Sequence, residues 1–199
     1  MTNFTLDLRP FLQLTDEQFF HLCQINRDIQ IERNKKGELI IMPPTGGETG
    51  DKNDEISFQL RAWNKQAGLG KTFNSSTGFR LPNGGVREAW ALPIRSPDAS
   101  WVQLERWEAL DPKERQTFPP LCPDFVIELR SLGDALKPLQ EKMQEYLDSG
   151  LRLGWLIDPK NQRVEIYRQG QKVLVLQSPI ELSGEDVLPG FVLELKGIF

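Results

Sequence analysis

The first apolar pattern along the chain has helical period. Thr15 is a favourable N-cap, and Gln18 stands three residues later, which is the spacing of a capping box. The apolar residues that follow recur at the spacing of one helix face: Phe19, Leu22 and Cys23. We predict a short amphipathic helix that ends before Asn34 and packs as a lid on the core.

A strand and a longer helix are predicted next. Residues 39–42 are an apolar run typical of a strand, and the two prolines that follow force it to end. Between Glu48 and Gln66 the apolar residues return to helical spacing, and Gly68 and Gly70 supply the stop: Ile56, Leu60 and Trp63. This segment is predicted to be the first long helix.

The middle of the chain has strand composition interrupted by turn signals. Residues 71–81 are rich in Thr, Phe and Ser, and Pro-Asn-Gly-Gly at 82–85 favours a tight turn. We predict one strand over 71–81 that enters a hairpin, and a second strand over 96–102. Residues 103–120 are charged and bounded by proline, which predicts a surface helix and loop.

Residues 123–158 have the pattern of a βαβ unit. A β-rich run over 123–131 begins at Pro123-Asp124 and has a further carboxylate, Glu128, inside its apolar part. A helix over 138–149 and an apolar strand over 153–158 follow it. Such spacing predicts two parallel strands with a right-handed crossover. Two further strands, joined by a Gln-Gly-Gln turn, are predicted to add an antiparallel hairpin. We therefore predict an α/β fold with a mixed central sheet flanked by helices.

Length and composition narrow the class of protein. The 199 residues correspond to about one domain, in which we expect an N-terminal helical segment over 1–35 and a core over 36–199. The formal charge of −4 argues against a protein that coats nucleic acid or anionic membrane by bulk charge. Two cysteines and one histidine encode neither a disulfide framework nor a zinc site. With charges near the N-terminus and no membrane-length apolar run, we expect a soluble, cytoplasmic protein.

The chemistry is expected to come from carboxylates and lysines. His21 is the only histidine, and a lone histidine on such a helix is more often structural than catalytic. The sequence has no nucleophile elbow, and its Gly-Gly pairs match no phosphate-loop fingerprint. Glu128 lies within an apolar strand, where an unpaired carboxylate would cost several kcal/mol, so a cation is implied. Asp98, on a neighbouring predicted strand, gives a second carboxylate, and such a pair suits magnesium.

The predicted helix after Glu128 carries a lysine at the edge of its apolar stripe. The stripe spans roughly 100° of the helix and is expected to face the sheet: Leu139, Met143, Tyr146 and Leu147. Lys142 lies at the stripe's edge and can reach Glu128, whereas the acidic residues are predicted to point outward: Glu141, Glu145 and Asp148. Two simpler interpretations stay open: Lys142 snorkels at the helix edge, or Glu128 pairs with Arg130.

Six segments of the chain are long enough to be compared with known families: GELIIMPPTGGETG, TGFRLPNGGVR, SPDASWV, PDFVIELRS, LQEKMQEYLDSGLRLGWLIDP and LSGEDVLPGFVLEL. They resemble the Uma-type family of restriction-endonuclease-like nucleases, which are common in cyanobacteria. The resemblance covers most of the chain from residue 30 onward and implies the PD-(D/E)xK nuclease fold.

The resemblance also implies a set of site residues. Asp98 and Glu128 become ligands of a magnesium or manganese ion, and Glu48 becomes a supporting ligand. The wider fold usually has lysine two residues after Glu128, where this chain has Arg130, and arginine does not readily give up a proton. The resemblance instead suggests Lys142 as the catalytic lysine, with supporting residues around it: Gln140, Tyr146 and Arg130.

One segment departs from the family pattern. Residues 88–95, EAWALPIR, are interpreted as an insertion between the GGVR and Ser-Pro-Asp segments. A register shift of one residue would turn Asp98 away from the site. An extended hairpin tip is the milder outcome, and we favour it.

Three functions fit these observations. The first is a metal-dependent endonuclease that hydrolyses DNA phosphodiester bonds, and the resemblance makes a homodimer reasonable for it. The second is a catalytically silent nuclease-fold protein that binds nucleic acid or another protein. The third is a carboxylate-pair hydrolase of another substrate, such as a glycoside, which would need no metal.

Overall fold

The computed structural model describes residues 3–9, 11–82 and 92–199. Its helices are Asp16–Ile25 (α1), Gly47–Ala67 (α2), Leu104–Glu108 (α3) and Leu136–Asp148 (α4), with short 3-10 turns at Glu114–Gln116 and Pro159–Asn161. Its strands are Phe4–Leu6 (β1), Gln30–Arg33 (β2), Leu39–Met42 (β3), Gly70–Asn74 (β4), Phe79–Arg80 (β5), Ile94–Arg95 (β6), Ala99–Gln103 (β7), Phe125–Leu129 (β8), Leu153–Asp158 (β9), Arg163–Arg168 (β10), Leu174–Gln177 (β11), Glu181–Ser183 (β12) and Val192–Glu194 (β13).

A six-stranded mixed sheet forms the centre of the fold. Its strand order is β11-β10-β9-β8-β7-β4, and only the β8–β9 pair is parallel. The predicted βαβ unit is therefore confirmed, with α4 as its crossover. The predicted hairpin of β10 and β11 is confirmed as well, because the two strands pair antiparallel. Both pairings follow the apolar runs and the turn residues of the sequence.

The two faces of the central sheet are covered by different elements. Alternation along β8 places Phe125 and Ile127 on the face that packs against α2 and the C-terminal β12–β13 hairpin. Val126 lies on the opposite face, against α4. A Cβ atom at Gly154 would lie 2.6 Å from the Cε atom of Met143 on α4, so glycine permits this close approach. The short distance between α4 and the sheet brings polar side chains of α4 within reach of β8.

A second, five-stranded sheet has the order β1-β3-β2-β6-β5. The prediction of one strand over residues 71–81 is wrong, because β4 belongs to the central sheet and β5 to the second sheet. The chain turns between them: the Asn74 carboxamide accepts a hydrogen bond from the Ser76 amide, and the Thr77 amide donates to the Asn74 carbonyl. Such a local side-chain bond favours a turn over a continuous strand.

The N-terminal region is only partly helical. The predicted capping box of Thr15 and Gln18 is confirmed. The prediction of helix up to Asn34 is wrong, because α1 ends at Ile25, where the Asn26 amide and side chain both donate to the Leu22 carbonyl. The chain then forms β2, which pairs antiparallel with β3.

The remaining predicted segments are the one between β7 and β8 and those before β6. Residues 103–120 form α3 and a 3-10 turn, as predicted. The predicted turn at 82–85 and the first half of the insertion at 88–95 lie outside the described residues, apart from Pro82. Among the described residues, no helix combines the length and the apolar character needed to cross a membrane.

Candidate metal and catalytic site

Two carboxylates lie opposite each other on neighbouring strands. In the β7–β8 ladder Ala99 is opposite Ile127, so continuing the register by one residue places Asp98 opposite Glu128. Directly opposed residues of an antiparallel pair project from the same face of the sheet. Asp98 stays beside β8 because its Oδ2 atom accepts a 2.8 Å hydrogen bond from the Leu129 amide. The insertion therefore does not turn Asp98 away.

Helix α4 brings a lysine and a tyrosine onto Glu128. The Nζ atom of Lys142 lies 2.8 Å from Glu128 Oε1 and donates at 3.2 Å to the Ser96 carbonyl. The hydroxyl of Tyr146, one turn later on α4, donates to Glu128 Oε1 at 3.0 Å. Lys142 is buried, so the snorkelling interpretation is wrong. The one-turn spacing of Lys142 and Tyr146 explains how one helix supplies both donors.

Glu32 on β2 is a further member of the site. Its Oε1 atom lies 2.8 Å from Lys142 Nζ and accepts a 2.8 Å hydrogen bond from the Ser96 amide. Its Oε2 atom accepts a 2.9 Å hydrogen bond from Arg95 on β6. Glu32 was not predicted from the sequence, although a turn signal, Asn-Lys-Lys-Gly, separates it from the apolar run of β3. That signal predicts a hairpin with Glu32 on its first strand.

Arg95 connects the site to a fourth carboxylate. Its Nε atom donates at 2.8 Å to Glu145 on α4, and Glu145 also accepts from the Lys35 amide at 3.3 Å. The prediction that Glu145 points outward is wrong, because the second sheet covers this end of α4 and buries the carboxylate. The buried charges alternate in sign along a chain of contacts: Glu145, Arg95, Glu32, Lys142 and Glu128.

Burial and neighbouring charges shift the proton affinities of the site. Burial raises the pKa of Glu128 to about 8; the Lys142 charge opposes this change, while Asp98 and Glu32 add to it. Burial also raises the pKa of Asp98, against the Lys142 charge. Burial would raise the pKa of Glu32, but the charges of Lys142 and Arg95 lower it below its ordinary value. For Lys142, burial opposes the charge, yet Glu128 and Glu32 hold its pKa above the ordinary value.

Other predicted residues lie apart from this cluster. Arg130 pairs with Asp158 at 2.6 Å, so the interpretation of a Glu128–Arg130 ion pair is wrong. Gln140 donates to Glu165 on β10 at 2.8 Å. Glu48 is exposed in the first turn of α2, and it is Asn53 of that helix that contacts Asp98.

The composition of the cluster suits a hard divalent cation. Four carboxylates and two cations leave a formal charge of −2: Asp98, Glu32, Glu128 and Glu145 against Arg95 and Lys142. Across residues 3–9, 11–82 and 92–199, no three His, Cys, Asp or Glu side chains converge as a ready-made metal group. Magnesium does not need three, because it commonly binds one or two carboxylates and keeps several waters. Asp98 and Glu128 therefore fit such an ion.

Comparisons with known proteins identify the family and the fold of the chain. The family model "Uma2: Putative restriction endonuclease" matches residues 16–196. The chain is also similar to a crystal structure described as "a putative nuclease belonging to DUF820" from Anabaena variabilis ATCC 29413. The two share 21% identity with a TM-score of 0.74, covering 94% of this chain and 97% of that one. A comparison with curated proteins finds no match. The predicted restriction-endonuclease-like fold is confirmed.

Proposed function

The chain belongs to the Uma2 family, and from this premise we propose that it is a metal-dependent endonuclease that hydrolyses DNA phosphodiester bonds. The observation that carries the proposal is the placement of Asp98 opposite Glu128 with the Lys142 ammonium 2.8 Å from Glu128. A carboxylate pair beside a fixed ammonium matches the needs of phosphoryl transfer, in which negative charge develops on phosphate oxygens.

In this proposal Asp98 and Glu128 hold a magnesium or manganese ion. When bound, such an ion activates a water and polarises the phosphate. Lys142 acts as a cation rather than as a base, because Glu128 and Glu32 raise its pKa. Its positive charge would stabilise the negative charge that develops on the phosphate, while Tyr146 and Glu32 fix the positions of Glu128 and Lys142. Glu48, exposed in the first turn of α2, remains a proposed outer support of the ion.

The remaining supporting residues act at a greater distance. Arg130 fixes the end of β9 through Asp158, and Gln140 fixes the outer part of α4 through Glu165. We propose that both support the stability of the elements around the site rather than the positions of Lys142 and Glu128. We further propose one domain over residues 1–199, acting in the cytoplasm as a two-fold dimer that presents one site to each DNA strand.

A silent nuclease-fold protein is the second candidate, and a specific contact favours it. Both oxygens of Glu128 are already engaged by Lys142, and Oε1 also accepts from Tyr146. Such a closed ion pair would oppose metal binding, because a metal ion would have to displace Lys142 from Glu128. In that case the fold would serve only to bind nucleic acid or another protein.

A cleavage assay separates the two candidates. Supercoiled and linear DNA are incubated with the purified protein in Mg²⁺, Mn²⁺ or chelator, beside Asp98→Asn, Glu128→Gln and the control Glu165→Gln. Glu165 is also a buried strand carboxylate under α4, so its variant controls for the loss of a buried charge. The nuclease proposal expects metal-dependent cleavage in wild type and Glu165→Gln only. No cleavage by wild type, together with no heat of metal binding, would establish the silent protein. The proposed dimer is tested separately, by light scattering of the purified protein.

A further inference from the structure

The candidate metal site has a polar neighbour on α2 that the proposed mechanism does not use. Asn53 lies on the same helix face as Ile56 and Leu60, three and seven residues later, and both of these are buried against the central sheet. A polar amide on this apolar face needs a partner. Glu48 lies five residues before Asn53, which is about 140° around the helix, and is exposed.

The amide of Asn53 is poorly satisfied. Its Nδ2 atom donates to Asp98 Oδ1 over 3.4 Å, which is long for a hydrogen bond. Its Oδ1 atom is buried and accepts no hydrogen bond from any residue in the part of the chain that the structure describes. A second asparagine of α2 behaves differently: Asn64 donates to the Gly70 carbonyl at 2.9 Å and accepts from Trp101 at 2.8 Å.

The other carboxylates near the site cannot take the place of this amide. Glu32 uses both oxygens for Lys142, Arg95 and the Ser96 amide. Glu145 is held by Arg95 and the Lys35 amide. Among the described residues, Asp98 Oδ1 carries only the long contact from Asn53. The least engaged oxygens of the site are therefore Asp98 Oδ1 and Asn53 Oδ1.

We propose that Asn53 is a third protein ligand of the metal ion, an inference that rests on the proposed metal-dependent function. An amide oxygen is a hard ligand of the kind that magnesium and calcium accept. The amide is uncharged, so it leaves the formal charge of the cluster at −2. A divalent cation neutralises that charge. Asn53 thus supplies a ligand from α2, the helix on which the family resemblance implied Glu48. The unpaired oxygen is the signature of a group arranged for a ligand rather than for the fold.

Metal binding by three variants tests this role. Mn²⁺ and Mg²⁺ titrations by calorimetry give the affinity, and the melting temperature without metal reports the fold. Asn53→Leu, of similar shape, should weaken binding about tenfold or more without lowering the metal-free melting temperature, because it removes an unsatisfied buried oxygen. Asn53→Asp keeps an oxygen ligand and should bind at least as tightly as wild type. Asn64→Ala should lower the melting temperature and leave the affinity unchanged.

The outcomes separate this inference from the proposed function. If Asn53 serves only to donate a hydrogen bond to Asp98, Asn53→Asp will bind metal as poorly as Asn53→Leu, and the inference is overturned. Unchanged affinity in Asn53→Leu overturns it as well. If Asp98→Asn abolishes binding while Asn53→Leu binds as tightly as wild type, the metal site stands without Asn53. If wild type binds no metal, both the inference and the proposed function fail.

Discussion

Two glutamates buried under α4 show how differently the same residue can be used. Glu128 on β8 and Glu165 on β10 are both about 3% exposed in the central sheet. Each accepts a hydrogen bond from a tyrosine hydroxyl, Tyr146 for Glu128 and Tyr167 for Glu165. Burial and local hydrogen bonding alone therefore do not distinguish them.

The neighbouring charges and hydrogen-bond donors distinguish the two glutamates. Glu165 is saturated by donors of its own, because Gln140 donates to both of its oxygens and Arg163 lies 2.6 Å away. Glu128 shares the Lys142 ammonium with Glu32 and has a second carboxylate opposite it. One carboxylate is complete within the fold, whereas the other belongs to a group with an excess of negative charge. That excess, rather than burial, marks the site for a cation.

The largest expected effect comes from removing the carboxylate that joins the two cations. Glu32→Ala leaves Lys142 and Arg95 without a shared partner, and breaking a buried pair from one side costs about 3–5 kcal/mol. Urea unfolding should show this loss. The control is Glu185→Ala at the more exposed Arg168 pair, where we expect less than about 1 kcal/mol. Equal losses in the two variants would contradict a central role for Glu32.

Glu32 also shows where prediction from the sequence stops. Helical and strand periods were enough for α2, α4 and the βαβ unit, and these place Asp98, Glu128 and Lys142 close together. The second sheet is held by short pairings, and within the part of the chain that the structure describes β2 pairs with β6 only at Arg33 and Ile94. A strand of two residues, such as β6, is too short to show an alternating pattern in the sequence. The contacts that the sheet creates, from Glu32 and Arg95 to α4, depend on that long-range pairing.

Glu145 shows the same limit from the helix side. Its angle on α4 places Glu145 beyond the apolar stripe, and in an isolated helix a side chain at that angle would be exposed to solvent. The second sheet supplies Arg95 at 2.8 Å and converts this position into a buried ion pair. Helical period reports which face is apolar, but it does not report which polar positions another layer will cover. The burial of Glu145 was therefore a part of the site that the sequence could not predict.

Lys142→Met tests whether the cation beside Glu128 acts in catalysis. Loss of the ammonium removes stabilisation of the developing phosphate charge, so cleavage should fall about 10²–10³-fold. The same change removes the cation that competes for Glu128, so Mg²⁺ affinity should be retained or increased. Cleavage rates and calorimetric titrations on one preparation check both expectations. A loss of metal binding in parallel with cleavage would mean that Lys142 only holds the site together.

Glu165→Gln tests the structural half. The new amide group faces the donors of Gln140, Arg163 and Tyr167 and leaves at least one of them unpaired, which costs about 1–3 kcal/mol. Unfolding in urea should report that loss, while cleavage and metal affinity stay at the wild-type level. A large drop in cleavage would place Glu165 in the catalytic machinery and remove the contrast with Glu128.

The smallest effect is a pH dependence that only one of the two glutamates should produce. Burial raises the pKa of Glu128 to about 8, against the Lys142 charge, so near neutral pH a proton competes with the metal for this carboxylate. Raising the pH removes that proton, so Mg²⁺ affinity should increase by up to about tenfold per pH unit below 8 and level off above it. Calorimetry between pH 6 and 9 measures the profile. Glu165→Gln should follow wild type, whereas Glu128→Gln should bind weakly with no such rise. Equal wild-type affinity at pH 6 and pH 9 would mean that Glu128 is already ionised in the free protein and that its contrast with Glu165 lies in geometry alone.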